Sequence, residues 1–114
     1  TPFMEQASLQ LEKKLESTPF RPISCPVLSN VTGEVIPEGA DIQQLLVRQI
    51  KMPVRFERIL KNLVNHGVDT AIEIGPGKVL SGFVQKTAPN IRRYAIETVA
   101  DFKRTVEELK RQEG

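Results

Sequence analysis

Apolar residues recur every three or four positions along much of this 114-residue sequence, which is the spacing of an amphipathic helix. Candidate caps and stops divide this pattern into separate helices. Asp41 is a predicted N-cap with Gln44 in the capping-box position, and Lys51-Met52-Pro53 is a predicted stop. The helices are predicted at 2–16 (with Thr1 as N-cap), after Asp41 up to the 51–53 stop, at 56–64 (stopped by Gly67), at 78–86, and from Thr98 onward.

Short β-branched runs between these helices predict three strands. They cover 23–28, 68–74 and 92–97, and the first is expected to be irregular or at an edge because Pro22 and Pro26 interrupt it. Strands that alternate with helices predict an α/β fold with a parallel sheet covered on both faces. Because three strands make a thin sheet and the sequence opens directly on a helix cap, residues 1–114 are expected to form a single, incomplete domain of a larger chain.

Two apolar patterns are expected to be buried. The run Ala71–Ile74 is typical of a strand covered on both faces. The final helix is expected to bury a stripe at Val99, Phe102, Val106 and Leu109 and to fray over its charged end, 107–114.

Composition and charge exclude several classes of protein. Sixteen basic and 14 acidic residues give a net charge of +2, which does not favour binding to nucleic acid or to an anionic membrane surface. No apolar run is long enough to span a bilayer, and no signal peptide is recognised. A single cysteine and a single histidine predict neither an internal disulfide nor a metal site. We therefore expect a soluble, cytoplasmic protein.

Motifs of known catalytic machinery are nearly absent. The sequence has no nucleophile elbow, P-loop or zinc-protease motif. His66 is expected to cap the C-terminal end of the third helix, where a cation interacts favourably with the helix dipole. Cys25 is expected to be a small buried apolar residue.

The turn Gly75-Pro76-Gly77, followed by Lys78, leads from a predicted strand into a predicted helix. Backbone N–H groups at such a helix start can hold an anion or a developing oxyanion. The glycines can equally serve only a tight turn, and Leu80 stands where a dinucleotide-binding fingerprint would have its third glycine. Both interpretations are open on the residues alone.

Gln49 is a polar residue on the apolar stripe of the second helix, and its backbone is unusual. In an α-helix its carbonyl would accept a hydrogen bond from residue 53, which is Pro53 and has no N–H. An imidazole N–H is one donor that would fit this free acceptor and would be oriented by it. Water or another side chain would also satisfy the carbonyl.

Five segments in order resemble malonyl-CoA:acyl carrier protein transacylases, from just after their small ferredoxin-like subdomain to their C-terminus. The segments are Thr1-Pro2-Phe3-Met4, 27–33 (VLSNVTG), 46–50 (LVRQI), 53–56 (PVRF) and 73–82 (EIGPGKVLSG).

The resemblance implies part of an α/β-hydrolase-like large subdomain. It also implies a serine that takes malonyl from malonyl-CoA and passes it to the phosphopantetheine thiol of acyl carrier protein. Coenzyme A thioester is then a substrate, no cofactor is permanently bound, and the partners are acyl carrier protein and the remaining N-terminal part of the enzyme. The catalytic histidine would directly precede Thr1, and the nucleophilic serine and the carboxylate-binding arginine would lie upstream. This stretch alone is therefore expected to be inactive.

Three residues can be carried over from the family. The position of Gln49 supplies the backbone carbonyl that accepts a hydrogen bond from the catalytic histidine. Val79 matches a position near the acyl pocket, and Asn30 matches an asparagine near the active-site cleft. The alternative is a non-enzymatic or degenerate acyltransferase-like interaction domain that uses the Gly75-Pro76-Gly77 turn to bind an anion or a partner.

Overall fold

The computed structural model describes residues 2–113, which divide into two compact units, 2–62 and 63–113. Over these residues the chain forms five helices and two strands in the order α1, α2, α3, β1, α4, β2, α5. Their bounds are Pro2–Glu16, Ile42–Lys51, Phe56–Asn65, Thr70–Ile74, Val79–Thr87, Arg92–Ile96 and Val99–Glu113. The five predicted helices are confirmed to within about a turn at each end, whereas the predicted Thr1 cap lies outside the described residues.

In the first unit, α1 and α2 pack side by side in opposite directions. The start of α2 contacts the end of α1, where Gln44 Nε2 donates to Glu12 Oε2 at 3.0 Å. The end of α2 contacts the start of α1, where Lys51 Nζ lies 2.9 Å from Glu5 Oε1. The predicted N-cap of α2 is confirmed, because the Asp41 carboxylate accepts the Gln44 N–H at 3.1 Å. The C-terminal end of α2 therefore lies beside the first turn of α1.

The predicted strand at 23–28 is wrong. This segment has only an isolated antiparallel bridge, between Leu28 and Val35. Pro22 and Pro26 remove two donors of a possible ladder, and within residues 2–113 no neighbouring strand pairs with the segment beyond Leu28. Cys25 lies in the same segment and is exposed, which corrects its expected burial.

In the second unit, β1 and β2 form a two-stranded parallel sheet. Thr70 pairs with Arg92, and the register continues to Ile74 and Ile96. Helix α4 packs against both strands and α5 packs against β2. The predicted parallel pairing is confirmed, but the described residues form a two-stranded sheet rather than the predicted three-stranded one.

Both predictions of burial in this unit need correction. Side chains alternate along a strand, so Ile72 and Ile74 share one face, and Ile74 is 80% exposed. In α5, Val99 and Phe102 are exposed and Thr105 is buried instead. An apolar pattern identifies the face of a strand or helix that favours burial. In this unit, the described residues leave those faces of β1 and α5 largely uncovered. The charged end of α5 remains helical to Glu113 and does not fray from residue 107.

Candidate functional site

The C-terminal end of α2 presents the main-chain acceptor predicted at Gln49. The last bond of this helix runs from the Met52 N–H to the Arg48 carbonyl at 3.1 Å, and Met52 is then extended, with φ −99° and ψ 146°. Pro53 has no N–H, and its ring disfavours the helical conformation for Met52. Within residues 2–113 no hydrogen bond reaches the Gln49 carbonyl. The predicted role of Gln49 rests on this carbonyl, and the residue's side chain is exposed.

The antiparallel packing of α1 and α2 places this end of α2 beside the start of α1. The Lys51–Glu5 ion pair joins the two, and the hydrogen bond and charge of Lys51 lower the pKa of Glu5. An exposed ion pair of this kind stabilises the fold little, but it shows which ends are neighbours. The acceptor at Gln49 and the residue at the start of α1, Pro2, are thus at the same end of the helix pair.

Asn30 contacts the connection that follows α2. It lies in a turn formed by residues 29–34, hereafter the Asn30 turn, and its backbone carbonyl accepts the N–H of Arg55 at 3.0 Å. Arg55 belongs to residues 52–55, the α2–α3 linker, and its own carbonyl accepts the N–H of Ile59 at the start of α3. The structure therefore connects the segments of Asn30 and Gln49 through this linker.

Val79 begins α4 in the second unit and is 82% exposed. The preceding turn needs glycine, because Gly75 and Gly77 have φ values of 136° and 82°, where other residues are strained. The strand-to-helix turn predicted at 75–77 is confirmed. Val79 is therefore an exposed apolar side chain in the first turn of the helix that follows the 75–77 turn.

The N–H groups around this turn are already used by carboxylates of the chain. Glu97 Oε1 accepts the Gly77 N–H at 3.1 Å. Glu73 accepts the N–H groups of Leu80 at 3.2 Å and Ser81 at 2.9 Å. An exogenous anion at these three donors would have to displace a carboxylate.

Glu73 is a residue that the sequence analysis missed. Its Oε1 also accepts the Ser81 hydroxyl at 2.7 Å, and this bond, followed by the Ser81 N–H, holds the pKa of Glu73 below its usual value. The sequence signal for Glu73 was an acidic residue in an otherwise apolar strand, just before a turn into a helix. The N-cap residue of that helix, Lys78, makes no side-chain cap, so the N–H groups of its first turn need another acceptor.

Neither a metal-binding cluster nor a membrane-spanning helix is found in the described residues. No group of three or more histidine, cysteine, aspartate or glutamate side chains in residues 2–113 could hold a metal ion. His66 is exposed in the turn after α3, where its N–H bonds the Leu63 carbonyl. None of the helices described in 2–113 combines the length and apolar character that crossing a membrane requires.

Comparison with known proteins identifies similar chains. No family model matches the sequence. The malonyl CoA-acyl carrier protein transacylase of Bacillus subtilis strain 168 is 38% identical over 107 residues, which are 94% of this chain and 34% of that protein. The protein of the same name from Haemophilus influenzae is 33% identical over 99 residues, covering 87% of this chain and 32% of the relative.

Solved structures give the same result. The malonyl CoA-acyl carrier protein transacylase of Clostridium perfringens matches with a TM-score of 0.86 at 38% identity, over 94% of this chain and 34% of that one. A malonyl-transacylase solved in complex with a type II polyketide acyl-carrier protein matches with a TM-score of 0.82 at 30% identity, over 92% and 34%.

These comparisons confirm the resemblance stated from the sequence. The chain is homologous to a portion of malonyl CoA-acyl carrier protein transacylases and spans about one third of their length. The roles of Gln49, Asn30 and Val79 remain predictions.

Proposed function

We propose that this chain is the C-terminal third of a malonyl-CoA:acyl carrier protein transacylase. Identities of 33–38% to proteins of that name support the assignment. The structural relative in complex with an acyl-carrier protein supports such a carrier as the partner. In this proposal coenzyme A thioester is a substrate, no cofactor is resident, and the enzyme acts in the cytoplasm. Residues 1–114 belong to one incomplete domain of its α/β-hydrolase-like large subdomain.

The reaction is a two-step acyl transfer. A serine from the remaining part of the enzyme attacks the malonyl thioester, and coenzyme A leaves as the thiol. The phosphopantetheine thiol of acyl carrier protein then attacks the malonyl-serine ester and restores the serine. In each step a histidine base removes the proton of the nucleophile and returns a proton to the leaving group. We assign this histidine to the position directly before Thr1.

The observation that carries the proposal is the Gln49 carbonyl, which accepts no hydrogen bond within residues 2–113. A carbonyl that accepts one ring N–H of the histidine fixes the tautomer and leaves the other nitrogen free to take the serine proton. It also stabilises the imidazolium that forms, because the C-terminal end of a helix carries partial negative charge. The packing of the end of α2 beside the start of α1 supports this geometry, since the residue before Thr1 would enter at that end.

The other two residues have less specific roles. Val79, with its uncovered apolar side chain, would line the acyl pocket. Asn30 would lie near the active-site cleft, where its carbonyl already holds the α2–α3 linker.

Malonyl transfer from malonyl-CoA to holo-acyl carrier protein, measured with the complete protein and with residues 1–114 alone, tests the proposal. We expect transfer by the complete protein and none by residues 1–114, because the nucleophile and the base lie outside them. The matched control is the complete protein with the histidine before Thr1 replaced by alanine, which should lose transfer. Turnover by residues 1–114, or a complete protein that transfers no malonyl group, would contradict the proposal; the second result would favour an interaction domain that binds an anion or a partner at the Gly75-Pro76-Gly77 turn.

A further inference from the structure

The Asn30 turn is closed by its own hydrogen bonds. The Ser29 N–H donates to the Glu34 carbonyl at 2.9 Å, and the Gly33 N–H donates to the Ser29 carbonyl at 2.8 Å. Inside the turn, the Ser29 hydroxyl accepts the Val31 N–H at 3.1 Å, and both residues are buried. Three internal hydrogen bonds therefore join the two sides of the turn, so a contact made at one side restrains the other.

Two side chains of α3, one helical turn apart, hold the far side of the Asn30 turn. Asn62 Nδ2 donates to the Gly33 carbonyl at 2.6 Å, and the Arg58 guanidinium pairs with the Glu34 carboxylate. The stem of Arg58 lies so close that a Cβ on Gly33 would be 2.7 Å from Arg58 Cβ. Because the ion pair is exposed and the Asn62 bond is part-buried, the Asn62 bond is expected to contribute more.

The near side of the Asn30 turn holds the α2–α3 linker. The Asn30 carbonyl accepts the Arg55 N–H at 3.0 Å, and Arg55 is the last residue before α3. At its other end the linker is attached to α2 through the bond from Met52 to the Arg48 carbonyl. These four linker residues are therefore held by a backbone hydrogen bond at each end.

We infer that Arg58 and Asn62 are positioning residues for the acyl transfer. They hold the Asn30 turn, the turn holds Arg55, and the linker so fixed leaves the Gln49 carbonyl open to the histidine. The inference rests on the proposed function and adds to it two residues that act at a distance from the reacting atoms. It also gives Asn30 a role through its backbone carbonyl, independent of its side chain.

The experiment compares Asn62→Ala with Asn65→Ala in the complete enzyme. Asn65 is an exposed asparagine in the same helix, so its replacement is matched in chemistry. We expect Asn62→Ala to lower kcat about tenfold, as when one hydrogen bond to a charged group is weakened, with KM for malonyl-CoA unchanged. Arg58→Ala should cause a smaller loss, and Arg58→Lys should recover part of it.

The pH profile of kcat/KM separates positioning from a merely structural role. A weaker hydrogen bond to the imidazolium lowers the histidine pKa, so the acidic limb should move to lower pH in Asn62→Ala but not in Asn65→Ala. An unchanged profile, or a kcat equal to that of Asn65→Ala, would overturn the inference. If Asn62→Ala does not fold, Asn62→Asp carries the same test, because it keeps the side-chain size and removes the donor. A wild-type enzyme without malonyl transfer would instead refute the proposed function itself.

Discussion

Replacing Pro53 by alanine would test whether the open carbonyl at Gln49 matters. The proline acts twice: it supplies no N–H, and it keeps Met52 extended. In Pro53→Ala both restrictions are removed, so α2 can continue by one residue and the new N–H at position 53 can donate to Gln49. The carbonyl would then be shared between a backbone donor and the histidine of the proposed mechanism.

The expected magnitude follows from the bonds exchanged. A hydrogen bond to a charged group contributes about 1.5–3 kcal/mol, which is about 10- to 150-fold in rate. Because a carbonyl oxygen has two lone pairs and can be shared, we expect the lower limit, about tenfold in kcat. Stability should change little, since the loss of proline costs about 0.4–1 kcal/mol through the unfolded chain and the added helical bond restores about 0.5–1.5 kcal/mol.

The assay is malonyl transfer by the complete enzyme across pH, with hydrogen exchange at residue 53 and thermal unfolding measured on the same samples. Pro22→Ala is the matched control, because Pro22 is exposed outside any helix or strand and its replacement has the same effect on the unfolded chain. Gln49→Ala keeps the carbonyl and should lose less activity than Pro53→Ala. A protected amide at residue 53 together with kcat and a pH profile equal to those of Pro22→Ala would refute the reasoning.

Three further predictions concern stability in the complete protein. The pKa of Glu73 is lowered in the folded state, so its ionised carboxylate stabilises the fold at pH values above its ordinary pKa of 4.5, and this stability is lost as the pH falls through the lower folded pKa. Glu73→Gln should therefore make the melting temperature depend less on acid pH. An unchanged dependence would contradict this. Leu60 is 2% exposed, and Leu60→Ala should cost about 2–5 kcal/mol in denaturant unfolding, whereas a loss below about 1 kcal/mol would mean that its site collapses around the smaller side chain. Gly33→Ala should be more destabilising than Gly39→Ala, because both glycines have positive φ but only Gly33 lies against Arg58; equal melting temperatures would show that the Arg58 stem moves aside at no cost.

Local chemistry made the helices predictable from the sequence. The Asp41 cap and the Pro53 stop act through neighbouring residues, so they keep their meaning whatever surrounds them. The failed strand at 23–28 shows the opposite case. Its apolar residues have strand character, but a strand forms only when a partner pairs with it, and within residues 2–113 the pairing is limited to the bridge at Leu28.

The candidate site was predictable to the extent that it depends on the backbone. The missing donor at Pro53 could be read directly from the sequence, and it identified the Gln49 carbonyl. The contacts of Asn62 with Gly33 and of Arg58 with Glu34 could not, because the partners are 29 and 24 residues apart and nothing in either local pattern pairs them. The prediction that Ile74 is buried was wrong for a related reason, since the hydrophobicity of a strand does not show whether another element packs on it.

The free acceptor at the end of α2 also has an evolutionary consequence. In the proposed mechanism the acting atom of Gln49 belongs to the main chain, so the side chain at that position is free to vary among residues that a helix tolerates. In this proposal the constraint falls instead four residues later, on Pro53, which contributes through the N–H that it lacks. In the proposed mechanism, a replacement at position 53 would therefore weaken acyl transfer more than a helix-compatible replacement at position 49.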